Sequence, residues 1–86
     1  MRLYRIEITA PGAGQMRRLP KVDKERILNK IESLAADPLP DGVKKLADEE
    51  NTHHIRVGDY RIIYEIYSGK LTVFVVKVKH LREVYR

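Results

Sequence analysis

The chain has 86 residues, with 17 Lys and Arg against 12 Asp and Glu, a net charge of +5 and no cysteine. That length makes one domain with one core, burying only around 60–65% of its unfolded surface. It excludes a disulfide framework and a thiolate metal site, and no apolar run approaches the ~18 residues of a membrane span.

Residues 3–9 read as a strand. Tyr4, Ile6 and Ile8 alternate with Leu3, Arg5, Glu7 and Thr9, which predicts that the first set faces the core. A start that already alternates like a strand does not read as a signal peptide, and the expected location is the cytoplasm. Pro11 can open a helix, Gly12 and Gly14 weaken it, and Pro20 stops it. A second helix is expected from Asp23 as its N-cap, burying Ile27, Ile31, Leu34 and Ala35. Asp37-Pro38 and Pro40-Asp41-Gly42 end it and form a loop.

Three strands follow, over 53–57, 60–67 and 71–79, joined by short links of the hairpin kind at Gly58-Asp59 and Ser68-Gly69. The order β-α-α-β-β-β predicts an α+β domain over residues 1–86. Two helices pack on one face of a mainly antiparallel four-stranded sheet, leaving the other face for a partner or substrate.

The charges are unevenly placed. Over residues 51–86 only Asp59, Glu65 and Glu83 oppose Arg56, Arg61, Lys70, Lys77, Lys79, Arg82 and Arg86. A sheet face carrying Arg, His and Tyr suits a phosphate chain and proposes RNA as the ligand. Lys44, Lys45, Arg17, Arg18 and Lys21 read as solvated charge or, if functional, as contacts to ribosomal RNA phosphates. His53 and His54 are adjacent and point to opposite faces of a strand, so a zinc site is not expected. His54 and Arg56 lie two apart and share a face. A neutral imidazole there is a better general base near pH 7 than a protonated amine.

The segments YRIEI, RRLPK, KIESLAADP, IRVGDYRIIYEI and VFVVKVKHLREVYR together resemble the RelE/ParE superfamily of toxins from toxin–antitoxin pairs, over nearly the whole chain. The chain is more similar to the RelE branch, whose members cut mRNA in the ribosomal A site, than to the ParE branch, whose members inhibit DNA gyrase. The resemblance implies an endoribonuclease without metal or cofactor. Its implied partners are a RelB-like antitoxin and the ribosome, at its A site, with the mRNA. In such chemistry the 2′-hydroxyl attacks the adjacent phosphate. The protein takes a proton, stabilises the phosphate charge and protonates the leaving oxygen.

The resemblance also assigns roles. Arg61 matches the arginine that contacts the scissile phosphate. His54 and Arg56 match positions that often carry Lys or Arg. Tyr85 matches an aromatic residue thought to stack on the substrate base or assist transfer. His80 and Arg82 are the remaining candidates for catalysis, and Lys44, Lys45, Lys77 and Lys79 for RNA binding. One position departs from the pattern: where RelE-like sequences commonly have an arginine after the last strand, this chain has Leu81. Leu81 favours the rival reading, a ParE-like gyrase inhibitor or a member weakened in catalysis, which Arg56, Arg61 and Tyr85 together oppose.

Overall fold

The computed structural model describes residues 3–40, 42–45 and 51–81. Strand β1 (Arg5–Ile8) leads into helices α1 (Ala10–Arg17) and α2 (Lys21–Ser33). Strands β2 (Lys44–Lys45), β3 (Thr52–Val57), β4 (Tyr60–Tyr67) and β5 (Thr72–His80) follow. The sheet order is β1-β5-β4-β3-β2. β1 runs parallel to β5, and every other pairing is antiparallel. The expected α+β arrangement is therefore present, with a two-residue strand, β2, added at the edge.

Both helices cover one face. Ile27 and Ile31 of α2, Leu34 at its C-cap and Met16 of α1 bury against Ile55, Ile62, Tyr64, Ile66, Val73, Val75 and Val78. Gly12 lets α1 approach β5 closely. A Cβ there would stand 3.0 Å from the Val75 carbonyl oxygen, so the glycine that weakens the helix locally is what allows it to pack.

The sequence VFVVKVK of β5 cannot alternate without a slip, because Val73 and Val75 are buried and so is Val78. A bulge absorbs the slip. Ile63 pairs with Lys77 while the next residue, Tyr64, pairs with Val75, leaving Val76 as the extra residue. The Thr9 hydroxyl donates to the Val76 carbonyl at 2.8 Å and holds the bulge in place. The bulge turns Lys77 and Lys79 outward, away from the core.

Several local expectations change. Thr9 caps α1, its hydroxyl accepting from the Gly12 N–H at 3.2 Å. Helix α2 starts directly after Pro20 at Lys21, so Asp23 lies in its first turn rather than at its cap. There its carboxylate faces the positive end of the helix dipole. Ile8 is 37% exposed because it ends the edge strand, although its side chain lies beside Gly12 of α1. The Ser68-Gly69 link is a 3₁₀ turn, Ser68–Lys70, that exits through Leu71 in the left-handed region (φ 47°). Among the described residues, no helix is long and apolar enough to cross a membrane.

Candidate active site

Residues directly opposite each other on neighbouring strands project from the same face. That rule and the observed register arrange the outer face in two rows. One runs Arg56, Arg61, Lys79 across β3, β4 and β5. The other runs Lys44, His54, Ile63, Lys77 across β2 to β5. Neighbouring strands lie about 4.8 Å apart, and the two rows about 6.6 Å apart along the strands. Like charges in direct opposition repel, so this arrangement of cations costs stability.

Gly42, Lys44, His54, Arg56 and Arg61 line a cleft of about 380 Å³ at this end of the face. Its two arginines differ. The Arg56 Nε–H donates to the Gly58 carbonyl at 3.0 Å, which orients the guanidinium from the turn. The Arg61 Nε is buried and has no hydrogen-bond partner among the described residues. A buried donor left unsatisfied costs about 1–3 kcal/mol, and more when charged.

His54 has its pKa pushed below 6.5, first by burial and then by the nearby charges of Arg61, Lys44 and His53. It is therefore neutral at pH 7 and able to accept a proton. His53 lies on the other face, stacked on Tyr64 with ring centroids 5.9 Å apart, and its Nδ1 lies 3.1 Å from the Asn51 carbonyl oxygen. These contacts give His53 a packing role.

The remaining candidates divide. Lys77 and Lys79 share the outer face with the cleft, as their rows require. Lys45 of β2 pairs with His53 of β3. His80 does not join His54 and Arg61. It pairs with Tyr60, whose ring it meets edge-on at 5.0 Å, and it lines a separate helix-side cavity with Gln15, Arg18 and Leu19. Strand β5 extends through His80, so strict alternation after Lys79 puts it on the inner face. The Leu81 N–H donates to the Asp59 carbonyl at 2.8 Å, which ties the end of β5 to the β3–β4 turn. Arg82 and Tyr85 lie outside the described residues.

Two supports were not apparent from sequence. Gly42, in the left-handed region at φ 89°, lines the cleft; the Pro40-Asp41-Gly42 turn signal located the bend without showing its wall. The Tyr64 hydroxyl donates to the Pro38 carbonyl at 2.8 Å and tethers the loop that leads to Gly42 and Lys44. Burial, with a smaller contribution from Asp37, pushes the Tyr64 hydroxyl up to about 12, so it remains a donor. Among the described residues, no group of three or more His, Asp or Glu is placed to hold a metal ion.

The profile of the ParE toxin family of type II toxin–antitoxin systems matches residues 11–85. Toxin RelE of Mycobacterium tuberculosis is 31% identical, over 96% of this chain and 87% of its own. The RelBE2 toxin–antitoxin complex of Mycobacterium tuberculosis contains a chain with TM-score 0.82 and 27% identity, covering 93% of each. In the RelE–RelB complex of Pyrococcus horikoshii the corresponding values are 0.81 and 28%, over 91% of this chain and 94% of that one.

Proposed function

The chain belongs to the ParE toxin family of type II toxin–antitoxin systems, in its RelE-like branch, and from that premise we propose that it is a ribosome-dependent mRNA endoribonuclease. The observation that carries the reading is the cleft lined by Lys44, Arg56, Arg61 and a neutral histidine, with Arg61 between Arg56 and Lys79 in one cross-strand row.

In this mechanism Arg61 and Arg56 hold the scissile phosphate, and charge developing on its oxygens draws them tighter in the transition state. The His54 imidazole takes the proton of the ribose 2′-hydroxyl. The 2′-oxygen forms a bond to phosphorus, the bond from phosphorus to the 5′-oxygen breaks, and a 2′,3′-cyclic phosphate results. The departing 5′-oxygen needs a proton. Tyr85 and Arg82 are our candidates for that end of the reaction, ahead of His80, which faces the helices. Lys44, Lys45, Lys77 and Lys79 are assigned to the flanking phosphates, where they position the strand without reading sequence. The chemistry assigned to these side chains needs no metal.

The proposed partners are a RelB-like antitoxin, as in the solved complexes of its relatives, and the ribosome, at its A site, with mRNA. The proposed location is the cytoplasm, where translating ribosomes are. The test is cleavage on purified ribosomes programmed with mRNA. New 5′-hydroxyl ends and 2′,3′-cyclic phosphates at codons support the reading. Intact mRNA under conditions where the protein inhibits gyrase supercoiling would overturn it. That second reading is favoured by Leu81, which supplies no cation where RelE-like sequences commonly have arginine. On the nuclease reading, Leu81→Arg raises the cleavage rate at fixed ribosome concentration.

A further inference from the structure

The cationic cleft occupies one end of the outer face; the other end has a different chemistry. Phe74 lies there on β5 and Tyr67 on β4, the two strands paired on both sides. Their rings meet edge to face at 5.5 Å and 88°. The register places Glu65 on one side of Phe74 and Glu7 on the other. The Tyr67 hydroxyl donates to Glu65 Oε1 at 3.0 Å, which fixes the carboxylate beside the rings. Glu65, Tyr67, Lys70 and Phe74 line a cavity of about 310 Å³.

We infer that this cavity is a nucleobase subsite, and that it takes a base with an exocyclic amino group from the same RNA strand whose phosphate sits in the cleft. The inference rests on the RNA reading given above.

Three observations carry it. Arg61 and Glu65 lie on one face of β4, four residues apart, or about 13 Å at the usual strand rise, a span that a few nucleotides of extended strand bridge. Aromatic side chains on the central strands of an open sheet are a recurring platform for splayed RNA bases. The Glu65 carboxylate can only accept hydrogen bonds, which suits an amino group and not a carbonyl in the same place. A basic partner protein is the less fitting occupant. Arg5, opposite Thr72 beside Phe74, and Lys70 at the cavity offset Glu7 and Glu65, leaving no net negative charge to attract it.

The test uses the full chain on ribosomes programmed with mRNAs that differ by one nucleotide at a time around the cut. The wild type is expected to prefer an amino-bearing base over uridine at one position away from the scissile bond. Phe74→Leu, which keeps an apolar side chain but removes the ring, should raise KM about tenfold, the scale of one lost base stack. Glu65→Gln should abolish the preference at that position. Arg61→Ala should lower cleavage on every sequence alike. If both outer-face variants cleave with wild-type KM and preference while Arg61→Ala does not, the subsite is overturned and the nuclease reading stands. If the wild type cleaves no mRNA, the nuclease reading and the subsite fall together. If Phe74→Leu leaves cleavage unchanged but releases a protein partner, the patch is a protein-docking surface and the inference fails.

Discussion

On the helix side of the sheet, Ile62, Tyr64, Val73 and Val75 are wholly enclosed, and the Tyr64 hydroxyl has a carbonyl to donate to. On the other side, the same strands present Arg56, Arg61 and Lys79 in line, with a buried nitrogen that has no partner among the described residues. The first arrangement lowers the energy of the fold. The second raises it, and persists because the first over-determines the backbone that carries it. Alternate residues of one strand thus serve opposite ends, and mutation should separate them.

The largest effect is expected from Ile62→Ala. It removes a fully buried side chain at the centre of the helix-side core and should cost about 2–5 kcal/mol of unfolding free energy in urea titration. For a domain this small that is much of its stability. A loss below about 1 kcal/mol would place the core elsewhere. Its neighbour Arg61 should behave in reverse. Arg61→Ala should lower mRNA cleavage about 10²–10³-fold. Unfolding free energy should hold or rise, since the middle one of three opposed cations and a buried donor with no partner among the described residues are both gone. A folded variant with full activity would sink the site.

Two smaller tests probe the link between the faces. Tyr64→Phe removes the hydroxyl bond to Pro38 and should cost about 1 kcal/mol. Because that bond tethers the cleft wall, KM should rise more than kcat falls. Equal effects on both would point to general destabilisation. The smallest effect concerns pH. The folded-state pKa of His54 lies below its unfolded value of 6.5, so the unfolded chain binds this proton first as pH falls. The stability associated with neutral His54 is present above 6.5 and is lost as pH drops from there through the lowered folded pKa. The acid limb of kcat/KM should fall below 6.5 for the same reason. In His54→Gln both the stability slope and that acid limb should flatten; an unchanged limb would remove His54 as the base.

Much of this contrast was legible in the sequence. The alternation of Ile55, Ile62 and Ile66 with Arg56 and Arg61 gives the two faces of β3 and β4 directly, since strand periodicity is fixed by the pleat. His80 was not legible. Its face depends on how far β5 continues and on a bulge at Val76; the first is held by the β3–β4 turn and the second by Thr9, both distant in sequence. The same holds for Gly12, a poor helix residue locally that the close packing of α1 on β5 requires. The cleft wall at Gly42 and Lys44 was visible only as a turn signal, because the bond that holds it comes from Tyr64, 26 residues away from Pro38.

Strand β5 follows the other strands in chain order but lies between β1 and β4 in the sheet. Its partner on one side, β4, is a near neighbour. On the other side, the bond from Thr9 to Val76 spans 67 residues. Loop-closure entropy disfavours the second contact until the hairpins of β3, β4 and β5 have formed. Folding should therefore proceed from the C-terminal meander toward β1, with Lys77 and Lys79 not fixed outward until Thr9 has captured the bulge. Thr9→Val should then speed unfolding while scarcely changing the folding rate in stopped-flow measurements, the mark of a contact made after the barrier. The interval before that contact forms is one in which the chain is collapsed but its cationic rows are incomplete, so the face proposed for RNA is the last part of the sheet to be set.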